Sequence, residues 1–450
     1  MNTSSQLAMA IALGIAAQHA GAAGFIDDSK ATLSLKNVDL SNDIRESQGK
    51  VGNSAYTGQV RTWGQAFVLK VQSGYTQGAV GFGLDALGTY AVRLDGGGKV
   101  GKAGEDRTPG NLFPTDGGHD ADQFGRLGLT GKVRFAKTEI KTGTLIPNLP
   151  ILVPNDGRLL PQTFEGTQFT SKDIDHLTFT GGLIEHAVGR ASTNSTGLAV
   201  TGGTQQSNKF WFGGGDYAIT KALTAQYYYA NLEDYYTQHF AGLTHIWAID
   251  QSQSFKTDLR FFHTGSDGAN GSAAGRAEGY KVSGYARTPG EIQNNTWSAS
   301  FTYALGGHTF MAGHQRVSDG SAFVQLNQGS LVNEGAGGGT TYLITDRLIS
   351  NFARAGENTS FAQYIYDFAG LGLPGLKFST IYLNGQNIKA TTGGSQNEWE
   401  RDLALDYVIQ DGTFKGVGIG VRNGSFRTNA TGASDIDHNR LILTYQLALF

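Results

Sequence analysis

The chain contains 450 residues, of which 65 are glycine and none is cysteine, and its formal net charge is −3. The lack of cysteine excludes disulfide frameworks and zinc–thiolate sites, and the near-balanced charge gives no indication of nucleic-acid binding. Aromatic residues make up 11% of the chain, and abundant glycine with aromatics favours strands and turns. The mean hydropathy of −0.26 is mild, as it is in transmembrane β-barrels, where lipid-facing apolar residues alternate with polar lumen residues.

The chain begins with an apolar segment of the length found in secretory signal peptides. Residues 7–17 are apolar, and the small residues 20–22 fit a cleavage site, which predicts a signal peptide over residues 1–23. No Lys or Arg precedes the apolar run, and a short buried helix is the alternative. Beyond Gly24 there is no run of 18 apolar residues, so no transmembrane helix is predicted.

Most of the remaining chain alternates between apolar and polar residues with a period of two, which is the pattern of half-buried strands. Residues 126–135, 297–305 and 441–449 are examples. Short connections alternate with long ones, as in outer-membrane barrels, which have short periplasmic turns and long extracellular loops. The spacing predicts an all-β antiparallel barrel of about 18 strands over residues 24–450, closed because an open sheet would expose unpaired backbone to lipid.

Residues 147–166 interrupt this pattern. They include four of the 8 prolines in the chain, and proline cannot donate to a sheet ladder. Loops of this length are usually functional or disordered, and the apolar residues among the prolines favour an ordered loop. Asp156 and Arg158 flank Gly157 in the middle of the segment. We therefore expect residues 147–166 to fold inward as a constriction loop, with Asp156 and Arg158 at the eyelet of a pore.

Alternation also predicts a set of basic side chains on the lumen face of the strands. Cations at several heights in a narrow pore lower the barrier for an anion at each step. The alternative is that they only balance lumen acids such as Asp85, Asp402 and Asp406. The predicted lumen cations are Lys36, Arg126, Lys132, Arg134, Arg260, Lys281, Arg287, Arg422 and Arg440.

Catalytic and metal-binding readings rest on weaker signals. His314 has Ser318 and Ser321 nearby in sequence. A barrel lipid hydrolase that uses His314 and a nearby Ser is therefore the alternative function. Proximity in sequence is weak evidence for it, because a catalytic triad is identified by its geometry. A secreted glycine-rich adhesin is a third reading. His119 and Asp120 could hold a cation, but a solvated loop is favoured. No metal, cofactor or nucleic acid is predicted.

Several stretches resemble the porin D (OprD) family of Gram-negative outer-membrane channels. The most specific are residues 73–95, which begin with SGYTQGAVGFGLD, and residues 158–163, which read RLLPQT. Together the matching stretches extend over nearly the whole mature chain. The others are residues 24–29, 131–138, 233–238, 351–360, 372–382 and 398–410.

This resemblance implies an 18-stranded barrel in the outer membrane, surrounded by outer-membrane lipid and present as a monomer or homotrimer. It implies no enzyme activity, but diffusion of small carboxylate-bearing nutrients (aromatic or aliphatic carboxylates, amino acids). Gly420 and Asp406 stand where members carry further basic residues, so a thinner ladder is expected. By motif position, the basic ladder maps onto Lys36, Lys132, Arg134, Arg158, Arg422 and Arg427, and the eyelet onto Asp156, Arg158 and Asp319.

Overall fold

The computed structural model describes residues 23–45, 49–51, 54–56, 58–96, 112–326, 340–391 and 393–450. The predicted signal peptide, residues 1–23, lies outside this part except for Ala23. Eighteen long strands, together with the two-residue strand Ser195–Thr196, form one antiparallel sheet. The first long strand pairs with the last, from Thr32 opposite Ala448 to Ile44 opposite Ile436. The predicted closed β-barrel of 18 strands is therefore confirmed.

The long strands are numbered in chain order. The first nine are β1 (Lys30–Ile44), β2 (Gln59–Gln72), β3 (Val80–Gly96), β4 (Gln123–Phe135), β5 (Thr138–Leu145), β6 (Thr163–Ser171), β7 (Leu177–Val188), β8 (Phe210–Ala218) and β9 (Leu223–Leu232). The other nine are β10 (Tyr236–Ala248), β11 (Gln253–Ser266), β12 (Gln293–Leu305), β13 (His308–Val317), β14 (Asn358–Asp367), β15 (Leu376–Ile388), β16 (Gln396–Val408), β17 (Gly418–Thr428) and β18 (Ile436–Ala448).

The remaining regular elements are short. They are the helices α1 (Ala23–Asp27) and α2 (Ala273–Glu278), the 3₁₀ turns Gly268–Gly271 and Phe368–Leu371, and the strand pairs Gly49–Val51 with Ser54–Tyr56 and Thr115–Asp116 with His119–Asp120. Among the described residues, no helix is both long and apolar enough to cross a membrane.

Strand alternation separates a lipid-facing surface from the lumen, as β12 shows. Trp297, Phe301 and Leu305 are each more than 40% exposed, whereas the intervening Ser298 and Ser300 are 5% exposed. A pleated strand sends successive side chains to opposite faces, so the large apolar residues point out of the barrel and the small polar ones point in. This matches the arrangement predicted for a membrane barrel.

Several extracellular loops pack against the inner wall of the barrel, and we call the one formed by residues 146–162 L3. Leu159 and Leu160 are buried against Val38 and Leu40 of β1, together with Phe113. In the same way, L3, L4 (189–209) and L7 (318–357) share a second apolar cluster with the inner wall. L3 therefore folds into the barrel, as predicted.

The predicted bounds of this loop, 147–166, are wrong at the second end. Residues 163–166 already belong to β6, where Phe164 pairs with Leu145 and Gly166 pairs with Gly143. Pro161 is the last proline of the segment. From Thr163 onward every backbone N–H is available for the ladder, so the strand begins there.

L3 packs against β2 at a glycine, Gly64, and we call this contact surface the L3 seat. A Cβ on Gly64 would lie 2.6 Å from both Leu159 Cδ1 and Phe113 Cζ, which are fully buried. We expect Gly64→Val to destabilise the barrel by about 1–3 kcal/mol, because overpacking a filled site forces its neighbours to move. The effect can be measured as a lower temperature for the heat-induced mobility shift in gel electrophoresis.

The matched control is Gly213→Val on β8, since a Cβ on Gly213 meets no atom within 4 Å. This variant should unfold at the same temperature as the unchanged protein. Equal shifts for both variants would contradict the assignment of Gly64 as part of the L3 seat.

Candidate functional site

The tip of L3 reaches the wall formed by the first and last strands. Lys36 on β1 donates a hydrogen bond to the carbonyl oxygen of Asp156 (3.2 Å), and its Nζ lies 3.5 Å from Oδ1 of the same residue. Arg440 on β18 donates to the carbonyl oxygen of Gly157 (3.1 Å). L3 leaves the wall between β5 and β6, so it crosses the lumen before it reaches these two cations.

Two further arginines hold the segments on either side of the tip. Arg126 on β4 donates to the carbonyl oxygens of Pro161 (2.6 Å) and Val188 (3.1 Å). Arg190 in L4 donates to Oδ1 of Asn155 (2.9 Å). Strand pairing does not reach the backbone oxygens of an irregular loop, and here guanidinium groups bind those of Gly157 and Pro161. The cations therefore fix the position of the loop that narrows the pore.

The same cations create a positively charged region beside the L3 tip. The pKa of the Arg158 guanidinium lies well below its usual value, mainly because the group is buried and secondly because Arg190 and Arg440 carry like charges nearby. Burial lowers the pKa of Arg190 to about 10, so Arg190 remains protonated at neutral pH. An anion in this region would offset the mutual repulsion of these groups.

Arg422, a predicted ladder residue, extends this region along the inner wall. It lies on β17 directly opposite Arg440 of β18, and such pairs have Cβ atoms about 5 Å apart. Its Nη2 is 2.7 Å from Oδ1 of Asp406. This ion pair offsets part of the positive charge that Arg422 presents to the lumen.

Lys132 and Arg134 lie at the periplasmic end of the lumen, away from the L3 tip. Lys132 is only 6% exposed, and its Nζ is 2.5 Å from Oδ1 of Asp85 and donates to the carbonyl oxygen of Ser73 (2.7 Å). The Tyr75 ring contacts both cations, at 4.9 Å from Lys132 Nζ and 4.3 Å from Arg134 Cζ. Lys132 is thus a buried ion-pair partner, while Arg134 is exposed at the periplasmic mouth.

The prediction that Arg427 belongs to the pore ladder is wrong. Phe426 is buried on the inner face of β17, and the next side chain must point outward. Arg427 forms ion pairs on the outer face with Asp437 (2.8 Å) and Asp435 (3.7 Å). The position was assigned from the family motif, and strand alternation overrules it.

Asp319, predicted at the eyelet, is not brought to the L3 tip by any contact among the described residues. Asp319 lies in L7 with an exposed side chain, and its Oδ1 is 3.3 Å from Nη2 of Arg287 in L6 (267–292). L7 instead meets the inner face of β16, where the carboxylate of Glu400 accepts hydrogen bonds from the backbone N–H groups of Ile349 (2.9 Å) and Ser350 (2.8 Å).

The carboxylates of β16 form a set that sequence reasoning did not recognise as a unit. Glu398 and Glu400 are almost fully buried, and Oε2 of Glu398 is 2.8 Å from Nε of Arg354 in L7. Asp402 accepts from the backbone N–H of Leu348 (3.4 Å). The alternation of Glu398, Glu400 and Asp402 was visible in the sequence as an acidic lumen face, but the loop that it holds was not.

The structure separates His314 from the serines considered for a hydrolase. Its Nδ1 lies 2.9 Å from Oγ of Ser360 on β14, on the outer face beside Trp297. Oγ of Ser318 and of Ser321 accept hydrogen bonds from backbone N–H groups instead. Within the described ranges, no group of three or more His, Asp or Glu side chains is arranged to hold a metal ion.

A closed barrel of 18 strands, narrowed by an inward loop that cations hold against the wall, defines an outer-membrane porin. The chain matches the family model described as outer membrane porin, OprD family, over residues 23–449, and it belongs to that family. Its location is accordingly the outer membrane of a Gram-negative bacterium.

Known proteins support this assignment over the full barrel. The chain is 35% identical to the porin-like protein GalP of Pseudomonas putida, over 95% of this chain and 94% of that protein. Its fold matches Pseudomonas aeruginosa OccK8 (OprE) with a TM-score of 0.85 and 47% identity, covering 95% of this chain and 100% of the other. Pseudomonas aeruginosa OpdK, crystallised with vanillate, matches with a TM-score of 0.80 and 32% identity over 94% and 100% of the two chains.

The burial of Lys132 predicts a structural effect of its removal. Lys132→Met leaves the carboxylate of Asp85 in the wall without its partner, and we expect a loss of about 3 kcal/mol of stability, since breaking a buried ion pair strands a charge. The heat-induced mobility shift should occur at a lower temperature. The double variant Lys132→Met/Asp85→Asn should recover much of the loss, and a double variant as unstable as the sum of both single changes would contradict the pairing.

Proposed function

We propose that this porin admits small carboxylate-bearing nutrients (aromatic or aliphatic carboxylates, and amino acids) by passive diffusion, without catalysis. The proposal rests on one observation, which is the convergence of Lys36, Arg158, Arg190 and Arg440 at the L3 tip. A carboxylate passing the tip would exchange part of its hydration shell for guanidinium donors, and planar guanidinium groups match carboxylates in bidentate geometry.

The hydrogen bonds to L3 make these cations suitable for transient binding. Arg440 and Lys36 are already oriented by the carbonyl oxygens of Gly157 and Asp156, so a passing solute does not have to order them. From the tip, Arg422 and then Arg134 provide further positive charge towards the periplasmic mouth. Conduction requires binding that is weak enough for release, and the Asp406 carboxylate beside Arg422 keeps the attraction there moderate.

Asp156 gives the tip a second type of contact. Its side chain is 69% exposed, and it lies on the same loop as Arg158, two residues away. A zwitterionic amino acid could place its ammonium group near Asp156 and its carboxylate near the arginines. For a simple carboxylate, Asp156 would instead act as a repulsive gate. The vanillate in the structure of OpdK is an aromatic carboxylate, and this supports including that class.

Removing one cation at the tip tests the proposed role of the positive charges. Arg440→Gln removes the charge and leaves a shorter hydrogen-bond donor at the same position. In planar bilayers, we expect the reversal potential in a salt gradient to shift away from anion selectivity, and block by benzoate to weaken about tenfold, the equivalent of ~1.4 kcal/mol.

Arg427→Gln is the matched control, because it makes the same chemical change on the neighbouring strand but on the outer face. This variant should leave selectivity and benzoate block unchanged. If Arg440→Gln also left both unchanged, the cations at the tip would have no role in selecting solutes.

Neutralising the tip acid separates the two solute classes. Asp156→Asn should strengthen the block by benzoate, since it removes a repulsive charge, and weaken the block by arginine, whose cationic groups would lose an attractive partner. Block by each solute is measured on single channels of the purified protein. Parallel changes for benzoate and arginine would argue against Asp156 as the group that distinguishes them.

A further inference from the structure

The outer wall of the barrel carries a groove across the middle of strands β12 to β15. Its floor is formed by two exposed alanines, Ala312 on β13 and Ala362 on β14, which pair directly with each other. The groove has a volume of about 500 Å³ and a mainly apolar lining. Phe361, the residue before Ala362, is buried among lumen residues, so strand alternation places the alanines on the lipid-facing side. We call this feature the outer groove.

Aromatic side chains surround the floor of the outer groove. Phe301 on β12 and Tyr382 on β15 are the cross-strand neighbours of the two alanines. Phe310 and Tyr364 occupy the adjoining row towards the periplasm, with ring centroids 5.1 Å apart. A gap between large rings leaves their atoms without van der Waals partners until another molecule fills it. The outer groove therefore fits a flexible hydrocarbon chain.

The extracellular end of the outer groove is polar and carries a cation. In the row above the alanines, Nδ1 of His314 lies 2.9 Å from Oγ of Ser360. In the next row, the exposed Arg316 pairs with Trp297 on β12 and with Asn358 on β14. The outward positions of β12 to β15, four strands that the structure describes in full, include no Asp or Glu. Arg316 therefore has no acidic partner on this wall.

The polar row lies at the depth of lipid headgroups in the outer leaflet. Arg316 is the last residue but one of β13, immediately before L7. Trp297 beside it is 43% exposed, and tryptophan is enriched at membrane–water interfaces. Ala312 is four residues further down the strand, or about 10 Å along the membrane normal. An acyl chain that begins near Arg316 would therefore reach the outer groove.

We propose that the outer groove and the polar row above it bind one molecule of lipid A, the phosphorylated glycolipid of the outer leaflet. A phosphate would lie against Arg316 and His314, and one acyl chain would fill the groove over the alanines. Guanidinium groups match phosphate oxygens in bidentate geometry. The Ser360 hydroxyl can donate to Nδ1 of His314, which leaves the ring proton on Nε2, where it can donate to the same phosphate.

The charges on this wall favour an anionic lipid over a second copy of this chain. The outward positions of β12 to β15 carry Arg316 and two histidines, His308 and His314, and no carboxylate. Two copies that met through this face would bring cations together without an acid between them. The only arginine of this face lies at its extracellular end, so the phosphate belongs to the outer leaflet and not to the inner one.

Native mass spectrometry of the delipidated full-length barrel, titrated with lipid A in detergent, measures the proposed site. We expect one lipid A molecule to bind more tightly than any that follow. Arg316→Gln should weaken this first binding about tenfold, because it removes the charged phosphate contact. Ala362→Leu should weaken it about tenfold as well, because the larger side chain occupies the outer groove. Ala312→Leu is the second groove-filling variant, and every variant is checked for the heat-induced mobility shift.

The matched controls make the same chemical changes elsewhere on the outer face. Arg401→Gln on β16 removes an arginine that binds the neutral side chains of Asn423 and Ser425. Ala241→Leu enlarges an exposed alanine on β10. Both should bind lipid A as the unchanged protein does. If the controls weakened binding as much as Arg316→Gln and the groove variants, or if none of the variants weakened it, the proposed site would be wrong.

Further probes identify the occupant. Lipid A without phosphates should bind the unchanged protein about as weakly as intact lipid A binds Arg316→Gln, and inorganic phosphate should not displace lipid A. Equal binding of the two forms of lipid A would overturn the proposal, as would displacement by phosphate alone. Tighter binding of phosphatidylethanolamine would assign the outer groove to the inner leaflet instead, and a protein dimer that Ala362→Leu dissociates would assign it to a second copy. None of these results depends on which solute the pore admits.

Discussion

The hydrogen bonds from wall cations to backbone oxygens of L3 determine the character of this pore. A chain segment that leaves the sheet and enters the lumen carries carbonyl groups that no strand can satisfy. Here Lys36, Arg126 and Arg440 supply donors from three different strands. One set of side chains thus positions the loop and also charges the space beside it, so the shape of the constriction and its electrostatics are not independent properties.

A neighbouring part of the inner wall uses the reverse chemistry, on β16, which is two strands from β18. L7 presents backbone N–H groups, and the carboxylates of Glu400 and Asp402 on β16 accept them. Backbone carbonyl oxygens of L3 are therefore bound by cations, and backbone N–H groups of L7 are bound by carboxylates. The placement of cations on β1 and β18 and of acids on β16 follows from the needs of two loop backbones, and it sets charges of opposite sign on neighbouring parts of the inner wall.

Strand alternation carried most of what the sequence could predict. It identified the closed antiparallel barrel, the lipid-facing aromatic residues of β12 and the lumen position of Lys36, Arg126 and Arg422. Alternation also places Arg427 on the outer face, because an odd-numbered residue on β17 cannot share a face with Arg422. The assignment of Arg427 to the pore ladder came from its position in the family motif, which was given too much weight. Arg190 and Asp319 lie in loops, where no periodicity links sequence to direction, so their partners Asn155 and Arg287 could not be foreseen.

The seat of L3 also has a consequence for assembly. Lys36 belongs to the first strand and Arg440 to the last, and they come together only through the pairing of β1 with β18. Contacts between the two ends of a chain form late, because the entropy of closing the longest loop opposes them. Before β1 and β18 pair, Lys36 and Arg440 are not together and L3 lacks part of its binding surface. The narrow passage therefore forms only once the barrel has closed, and docking of L3 indicates that closure has occurred.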